Sequence, residues 1–310
     1  MYLLGINGGG TATHCIIGDE HGNIYAEGFG GSSNYHTAGK DAVKNAMSLA
    51  INRALSKLNI EISDVTYAVL GIASADNEKD FIVLNSICNE IFADVPFEVL
   101  NDCWIGLRAG SEGNWGIVSI CDTGHGAMGK TMGGEKVELR NMNFTLGNRG
   151  GSVEISEDAL YHAFRADEKI GTPTKLQYEI PKVFGYKKME DIDEIVRNEE
   201  VNADQLHRIS TVVSQLAKEE DNVCQDILIS MGSTIGKTAA GIIKRLQIQK
   251  TEVPIVLLGS VFTGDNPLFL DAYIMEIHRV APRAKIKILD RKPVMGAYEL
   301  AIDYMKKLGE

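Results

Sequence analysis

Basic residues are in short supply in this chain. Its 310 residues include 31 lysines and arginines against 42 aspartates and glutamates, a formal net charge of −11, and the basic residues form no stripe. Proteins bind nucleic-acid phosphates with clustered Lys and Arg, so we expect no nucleic-acid partner and favour a small ligand.

Long apolar stretches are missing as well. No run of apolar residues approaches the length that is needed to cross a bilayer. The chain opens directly on a predicted strand, without the basic and apolar regions of a secretory leader. We therefore expect no membrane association and a cytoplasmic protein.

Cysteines are few and scattered. None of the five stands in Cys-x-x-Cys spacing, and their number is odd. The five are Cys15, Cys88, Cys103, Cys121 and Cys224. This pattern fits reduced thiols in a core, and it fits neither a disulfide framework nor a zinc site.

A glycine-rich turn is the most distinctive stretch that is present. Residues 1–6 and 14–17 predict two short buried strands. Between them lie Asn7, Gly8, Gly9, Gly10 and Thr11. Successive glycines let backbone N–H groups approach an anion closely, and Thr11 and Thr13 add hydroxyl donors, so the turn is a candidate phosphate site. A β-hairpin whose turn merely needs positive φ gives the same pattern.

Two common phosphate motifs do not account for this turn. No Lys-Ser/Thr pair follows it, as a Walker P-loop requires. It also lacks the Gly-x-Gly-x-x-Gly spacing and the opening helix of a dinucleotide fold. A phosphate loop between two antiparallel strands is a different architecture.

The opening element recurs in the second half of the chain. Residues 115–121 predict a strand, 122–126 a glycine-containing turn and 127–132 a returning strand. Each hairpin begins an α/β series, so we expect two domains of like topology with a ligand in the cleft between them. The predicted domains are 1–101, onto which a closing helix 294–310 packs back, and 102–293, with a helical insertion at about 167–223.

One acidic residue stands where a catalytic base is needed. Phosphoryl transfer to an alcohol requires donors for the phosphates, a metal ion and a carboxylate that deprotonates the attacking hydroxyl. Asp102 follows the predicted strand 97–100 at the start of the second half, which makes it a candidate base. The alternative is a helix N-cap, a role that Asn101 would share.

Eight motifs occur in order over nearly the whole chain: GINGGGTAT, GSSN, GIASAD, VLND, CDTGHG, LGNRGG, LLGSVF and PVMGAYELA. Together they resemble the N-acetylglucosamine kinase group of the actin and hexokinase superfamily, also called the BadF-type ATPase family. The resemblance implies two actin-like (ribonuclease H-like) α/β domains, each a mixed five-stranded sheet flanked by helices. They would close over ATP, Mg²⁺ and an amino sugar, with phosphate passing to the sugar 6-hydroxyl. One side of the charged helices in the insertion is expected to form a homodimer.

The resemblance also implies roles for individual residues, with Asp102 as the base. The first phosphate loop would be Gly8, Gly9, Gly10, Thr11 and Thr13, and the second Thr123, Gly124 and Gly126. Contacts to the sugar would come from Asn34, Ser74, Asn101, Asn148 and Arg149. The adenosine pocket would be bordered by Gly259, Ser260 and Val261. From local sequence alone, Asn34 and Asn148 could equally be loop-capping residues, and Gly259 could equally be a glycine that ends a strand.

Several positions depart from the family pattern. Asn7 stands where most relatives have an acid, so its part in holding Mg²⁺ would be through water, and Asp122 is a candidate to replace it. Asn148 and Arg149 stand where relatives have Asp-Glu, and Arg149 is a candidate for recognising an acidic group on the ligand. His125, inside the second loop, is either functional or packed.

Two functions are therefore favoured by parts of the sequence, and a third is disfavoured. The first is an ATP-dependent sugar kinase, which the retained Asp102 favours. The second is a nucleotide or sugar sensor that has lost efficient chemistry, which Asn7, Asn148 and Arg149 favour. The third, an ATPase that activates acyl-CoA dehydratases, needs cysteine ligands for an iron–sulfur cluster, and no cysteine here has suitable surroundings.

Overall fold

The first half of the chain forms a five-stranded mixed sheet with helices on both faces. The computed structural model describes residues 1–139, 144–264 and 267–309. In chain order the elements are β1 (Tyr2–Gly8), β2 (Thr13–Gly18), β3 (Ile24–Gly30), α1 (Tyr35–Ala38), α2 (Lys40–Leu58), β4 (Val65–Ile72), α3 (Glu78–Phe92) and β5 (Phe97–Asn101). The strand order is β3-β2-β1-β4-β5, with β1 antiparallel to β2 and parallel to β4, and with β4 parallel to β5.

The second half repeats this topology. Its elements are α4 (Asp102–Gly110), β6 (Gly116–Cys121), β7 (His125–Lys130), β8 (Lys136–Glu138), α5 (Ser152–Asp167), α6 (Leu176–Val183), α7 (Asp193–Arg197), α8 (Ala203–Lys218), α9 (Asn222–Arg245), β9 (Pro254–Leu258), α10 (Ser260–Thr263), α11 (Pro267–Val280), β10 (Lys285–Ile288) and α12 (Val294–Gly309). The strand order is β10-β9-β6-β7-β8. Two mixed five-stranded sheets flanked by helices confirm the predicted fold class.

Short 3₁₀ turns occur at Ile62–Asp64, Phe144–Leu146 and Met189–Asp191. They link longer elements and carry little of the core.

Buried apolar strands explain why both faces of each sheet are covered. In β1 and β4 nearly every residue is buried, as is typical of strands that lie under helices on both sides. Apolar residues of α2 and α3 pack on one face of the first sheet, and those of α12 pack on the other. The five cysteines are free and buried, as the sequence predicts.

Two helices connect the halves. Side chains of α4 pack against both sheets: Ile105 joins the cluster under α12, whereas Leu107 joins a cluster with β6 and β9. A Cβ on Gly296 would lie 1.8 Å from the carbonyl oxygen of Ile105, so α12 can approach α4 closely only with glycine there. Arg108 adds ion pairs of 2.7 Å to Glu299 and Asp303 of α12. The chain's last helix thus returns to the first sheet.

None of the helices in the described parts of the chain is both long and apolar enough to span a membrane.

Candidate functional site

The glycines of the first hairpin are not explained by backbone conformation. Strands β1 and β2 run further than the sequence predicts, to Gly8 and from Thr13, and leave a short turn. Gly8, Gly9 and Gly10 all lie outside the positive-φ region, so the alternative of a turn that merely needs positive φ is wrong. A Cβ on Gly8 would be 2.8 Å from Ser33 Cβ, whereas a Cβ on Gly10 would have no atom within 4 Å. Packing therefore requires glycine at residue 8, but nothing in the protein requires it at residue 10.

Main-chain hydrogen bonds tie this hairpin to two neighbouring loops. The carbonyl oxygen of Gly8 accepts from Ala73 N at 2.9 Å, and that of Gly9 accepts from Ser33 N at 3.0 Å. The fully buried hydroxyl of Thr13 donates to Gly31 O at 2.7 Å and also contacts the Ser33 hydroxyl. The Thr13 side chain thus fastens the loops together.

Loop 31–34 ends in a helix cap. Asn34 is the N-cap of α1, and its Oδ1 accepts from His36 N at 3.0 Å. The loop-capping interpretation of Asn34 therefore holds for its oxygen, and the hydrogen bonds that the structure records leave its amide N–H groups available.

Asn101, and not Asp102, caps helix α4. Asn101 Oδ1 accepts from Cys103 N at 3.0 Å, while Asp102 is the first helical residue and remains partly exposed. Asn101 itself is buried, and its amide nitrogen donates to Asp76 Oδ1 at 3.0 Å and to Ala75 O at 3.3 Å. Asn101 therefore takes the N-cap position that the sequence left open between the two residues, and Asp102 follows it at the first helical position.

Asp76 is a residue of this site that our sequence reasoning missed. It lies in the loop after β4, whereas Asp102 directly follows β5, and β4 and β5 are parallel neighbours. Because the carboxyl ends of neighbouring parallel strands meet at one sheet edge, an acid in the loop after each strand was the available signal.

Carboxylates from both halves of the molecule influence one another here. Burial raises the pKa of Asp102 to about 6; the backbone N–H groups of Cys103 and Asp102 act against this, and the charge of Asp122 adds to it. Burial, then the charges of Asp102 and Asp80, raise the pKa of Asp76 to about 7, against the effect of the Asn101 hydrogen bond. Since Asp122 belongs to the second hairpin, its charge effect links that hairpin to Asp102 at the start of α4.

The second hairpin presents an open turn to solvent. Strand β7 begins at His125, so the turn is shorter than predicted and consists of Asp122, Thr123 and Gly124, all exposed. Gly124 lies outside the positive-φ region, and a Cβ there would have no atom within 4 Å. As at Gly10, neither backbone conformation nor packing requires a glycine here.

The first turn of α5 supports the second hairpin from behind. Ser152 N donates to Asp122 O at 2.8 Å, and Val153 N donates to Thr123 O at 3.2 Å. These two backbone N–H groups at the start of α5 therefore hold the turn in place.

A buried histidine holds Asn148 in place. His125 Nε2 lies 3.0 Å from Ser119 Oγ, and its Nδ1 lies 3.3 Å from Asn148 Oδ1. Asn148 Nδ2 in turn donates to His125 O at 2.5 Å. Burial lowers the pKa of His125 to about 4, so the ring is neutral at neutral pH. His125 is thus a packed residue that orients Asn148.

Arg149 is already paired with acids of α5. Its Nε lies 3.4 Å from Glu154 Oε2, and another guanidinium nitrogen contacts Asp158. Glu154 also accepts from Gly150 N at 2.7 Å. Two carboxylates therefore compensate the cation, and recognition of an acidic ligand by Arg149 stays a prediction.

A cavity of about 320 Å³ lies beside the second hairpin, between α8 and the start of α10. Its lining includes Ser260 and Val261, together with His207, Ser210, Thr211, Ser214, Gln215 and Lys218 of α8. Ser260 Oγ donates to Asp122 Oδ1 at 2.5 Å, so the cavity and the hairpin are contiguous. Gly259 lies between β9 and α10 with φ 100°, and a Cβ there would be 2.2 Å from Cys121 O. Backbone conformation and packing therefore both require glycine at this position.

The described residues contain no group of three or more His, Cys, Asp or Glu side chains that could hold a metal ion. Mg²⁺ commonly binds through one or two carboxylates together with substrate phosphates, which a single acid such as Asp122 could accommodate. The donor set therefore fits a metal that arrives with a nucleotide and does not fit an all-protein cage.

Comparisons with known proteins show what this chain is similar to. The model of the BadF/BadG/BcrA/BcrD ATPase family matches residues 4–301. The chain is 28% identical to an N-acetyl-D-glucosamine kinase of Dictyostelium discoideum, over 98% of each protein. It is 25% identical to an N-acetylmuramic acid/N-acetylglucosamine kinase of Clostridium acetobutylicum, over 97% of this chain and 98% of the relative.

A solved structure from Chromobacterium violaceum, described as that of a candidate N-acetylglucosamine kinase, has the same fold. Its TM-score is 0.77 at 17% identity, and the match covers 97% of this chain and 98% of the other.

Proposed function

Because this chain belongs to the BadF/BadG/BcrA/BcrD ATPase family, we propose that it is an ATP-dependent sugar kinase. It would transfer the γ-phosphoryl group to a hydroxyl of N-acetylglucosamine, glucosamine or a related sugar. Two relatives that match over nearly their whole length are named as kinases of such sugars, which supports this substrate class.

One observation carries the proposal: Gly10 and Gly124 are glycines that the protein does not need for itself. Both occupy the turn of the first hairpin of their domain, both avoid positive φ, and a Cβ on either would meet open space. A position kept free of a side chain, beside exposed backbone, suits the close approach of phosphate oxygens. We therefore assign the two turns to the phosphates of one nucleotide.

The roles proposed for the remaining residues follow from the family resemblance of their motifs. The nucleotide phosphates would contact Gly8, Gly9, Gly10 and Thr11 on one side and Thr123, Gly124 and Gly126 on the other, with Thr13 supporting the first turn. Adenosine would occupy the cavity bordered by Gly259, Ser260 and Val261. The sugar would contact Asn34, Ser74, Asn148 and Arg149, and Asn101 would position its neighbours. Bound Mg²⁺, near Asp122 and through water near Asn7, would neutralise phosphate charge.

Asp102 is the group that we assign to the reacting hydroxyl. Its carboxylate would accept the hydroxyl proton as the oxygen attacks the γ-phosphorus and ADP leaves. Phosphoryl transfer needs little covalent help from a protein, so positioning and charge neutralisation account for most of the acceleration.

The rate is expected to fall on the acid side of about pH 6. Asp102 can accept a proton only when it is ionised, and its pKa is raised to about 6. Below that pH the protonated fraction grows, so kcat/KM should fall about tenfold per pH unit. A pH profile of kcat/KM from pH 5 to 8 tests this. An acid limb near pH 4, the ordinary range of an aspartate, would contradict it.

The second candidate function is a sensor that binds nucleotide and sugar without efficient turnover. Two observations favour it: Asn7 offers no negative charge to a metal, and the Arg149 cation is paired with acids within the protein. An ADP-release assay over a panel of sugars separates the two, together with thermal unfolding in the presence of ATP and of each sugar. The kinase proposal requires sugar-dependent ADP release, whereas stabilisation by both ligands without turnover would select the sensor.

A homodimer formed through the charged helices of the insertion stays a prediction. Light scattering of the purified protein measures it directly, and a monomer at micromolar concentration would exclude it.

A further inference from the structure

Asp76, in the loop between β4 and α3, is held by the described residues at only one of its two carboxylate oxygens. Its Oδ1 accepts from Asn101 Nδ2 at 3.0 Å, and its backbone N–H donates to Asp80 Oδ2 at 3.1 Å. Among the residues that the structure describes, none forms a hydrogen bond with Oδ2 of Asp76. The carboxyl group is thus fixed by one oxygen and free at the other.

The contact with Asn101 decides where a proton on Asp76 would reside. An amide N–H can only donate, so Oδ1 must act as the acceptor oxygen. A proton on this carboxyl group therefore lies on Oδ2, where it can be donated to a ligand.

The groups that face Asp76 favour the protonated form. Asp102 comes from the start of α4 and Asp80 from α3, and the charges of both act on Asp76. The neighbouring Cys103 thiol has a pKa well above its ordinary value because of burial and, after that, of the charges of Asp102 and Asp76. No cation in the described part of the chain forms an ion pair with Asp76. The nearby acids, with burial, make a neutral carboxyl group accessible near pH 7.

Asp80, which accepts from the backbone of Asp76, is itself in contact with other polar groups. The hydroxyl of Tyr35 donates to Asp80 Oδ1, and the His36 imidazole lies 3.2 Å from the same oxygen. Asp80 also caps the loop by accepting from Asn77 N at 3.0 Å. These contacts connect loop 31–36 to the Asp76 loop and fix its shape.

A second polar group in this loop also lacks a partner. Ser74 is 1% exposed, and its Oγ forms no hydrogen bond with the described residues. Buried hydroxyl groups are rarely left unpaired in folded proteins, so an unpaired one beside Asp76 points to a ligand that supplies the missing partner.

We propose that Asp76 binds the acceptor sugar as a protonated carboxyl group, donating a hydrogen bond from Oδ2 to a ring hydroxyl while Asp102 deprotonates the hydroxyl that receives phosphate. Ser74 is the second contact of the same loop. This inference rests on the proposed kinase function. It adds a pH-sensitive acceptor contact that is distinct from the base.

The test is calorimetric titration of the protein with N-acetylglucosamine from pH 6.5 to 8.5, in buffers of different ionisation enthalpy. The wild-type protein should take up about one proton per bound sugar at pH 8.5, because most free Asp76 is then ionised. Its sugar affinity should fall more than about tenfold over this range, since only the protonated form donates.

Two substitutions distinguish this role from a structural one. Asp76→Asn keeps an acceptor for Asn101 and a donor in place of Oδ2–H, so it should bind sugar with affinity independent of pH and without proton uptake. Asp76→Ala removes the donor, so its affinity should be lower by roughly tenfold at pH 6.5. Thermal unfolding of both variants verifies that they are folded.

Each result decides the proposal. Sugar binding by the wild type without proton uptake, or equal losses in Asp76→Asn and Asp76→Ala, would overturn the role of Asp76. If the wild type still phosphorylated the sugar, the kinase proposal would survive that failure. A wild-type protein that neither binds nor phosphorylates any sugar would overturn both.

Discussion

The Asp102→Asn protein is expected to transfer phosphate at least about a hundredfold more slowly than the wild type, because a general base of this kind contributes about 10²- to 10⁴-fold. Asparagine has nearly the same shape but cannot accept the hydroxyl proton. ATP and sugar should still bind, because the phosphate turns and the sugar loops are unchanged. Measurement of ADP release at saturating ATP and N-acetylglucosamine gives the loss in kcat, and calorimetry gives the two affinities.

Asp41→Asn is the matched control for the Asp102 variant. Asp41 also stands in the first turn of a helix, α2, but it is exposed and no proposed ligand contact lies in that helix. Its substitution should leave kcat unchanged. An Asp102→Asn protein with a kcat within about threefold of the wild type would remove Asp102 from the chemistry.

A side chain at either open glycine is expected to impair ATP binding without destabilising the protein. In Gly10→Ala or Gly124→Ala the added Cβ meets no protein atom within 4 Å, and neither backbone has positive φ. Stability should therefore stay level or rise by about 0.4–1 kcal/mol, as for glycine replaced at a compatible position. The methyl group occupies space that a phosphate oxygen needs, so KM for ATP should rise roughly tenfold, and further in the valine variants.

Gly241→Ala in helix α9 serves as the control for these variants. A Cβ on Gly241 also has no atom within 4 Å, but no proposed ligand lies there. It should change neither KM for ATP nor kcat. Unaltered ATP affinity in both Gly10→Val and Gly124→Val would contradict the assignment of these turns to phosphate.

Local patterns account for where helices α2 and α3 begin and end. Each has an amphipathic face; Asn59 in the left-handed conformation ends α2, and Asn77 caps the start of α3. The strands of the first hairpin were predicted too short, and β7 begins earlier than predicted, at His125. Pairing between β1 and β2 continues to Gly8, although glycine has a low strand propensity.

Contacts between distant segments could not be predicted. Ser260 and Asp122 are 138 residues apart, and Asn101 and Asp76 are 25 apart. The approach of α12 to α4 likewise depends on tertiary packing and on no local pattern. The sequence also did not show that acids of α5 pair with Arg149 and compensate its charge.

The most direct test of the account is a crystal structure with a non-hydrolysable ATP analogue, Mg²⁺ and N-acetylglucosamine bound together. We expect the terminal phosphates between the turns of Gly10 and Gly124, and one sugar hydroxyl within about 3 Å of the Asp102 carboxylate. A nucleotide whose phosphates contact neither turn, or a sugar bound with every hydroxyl out of reach of Asp102, would contradict it.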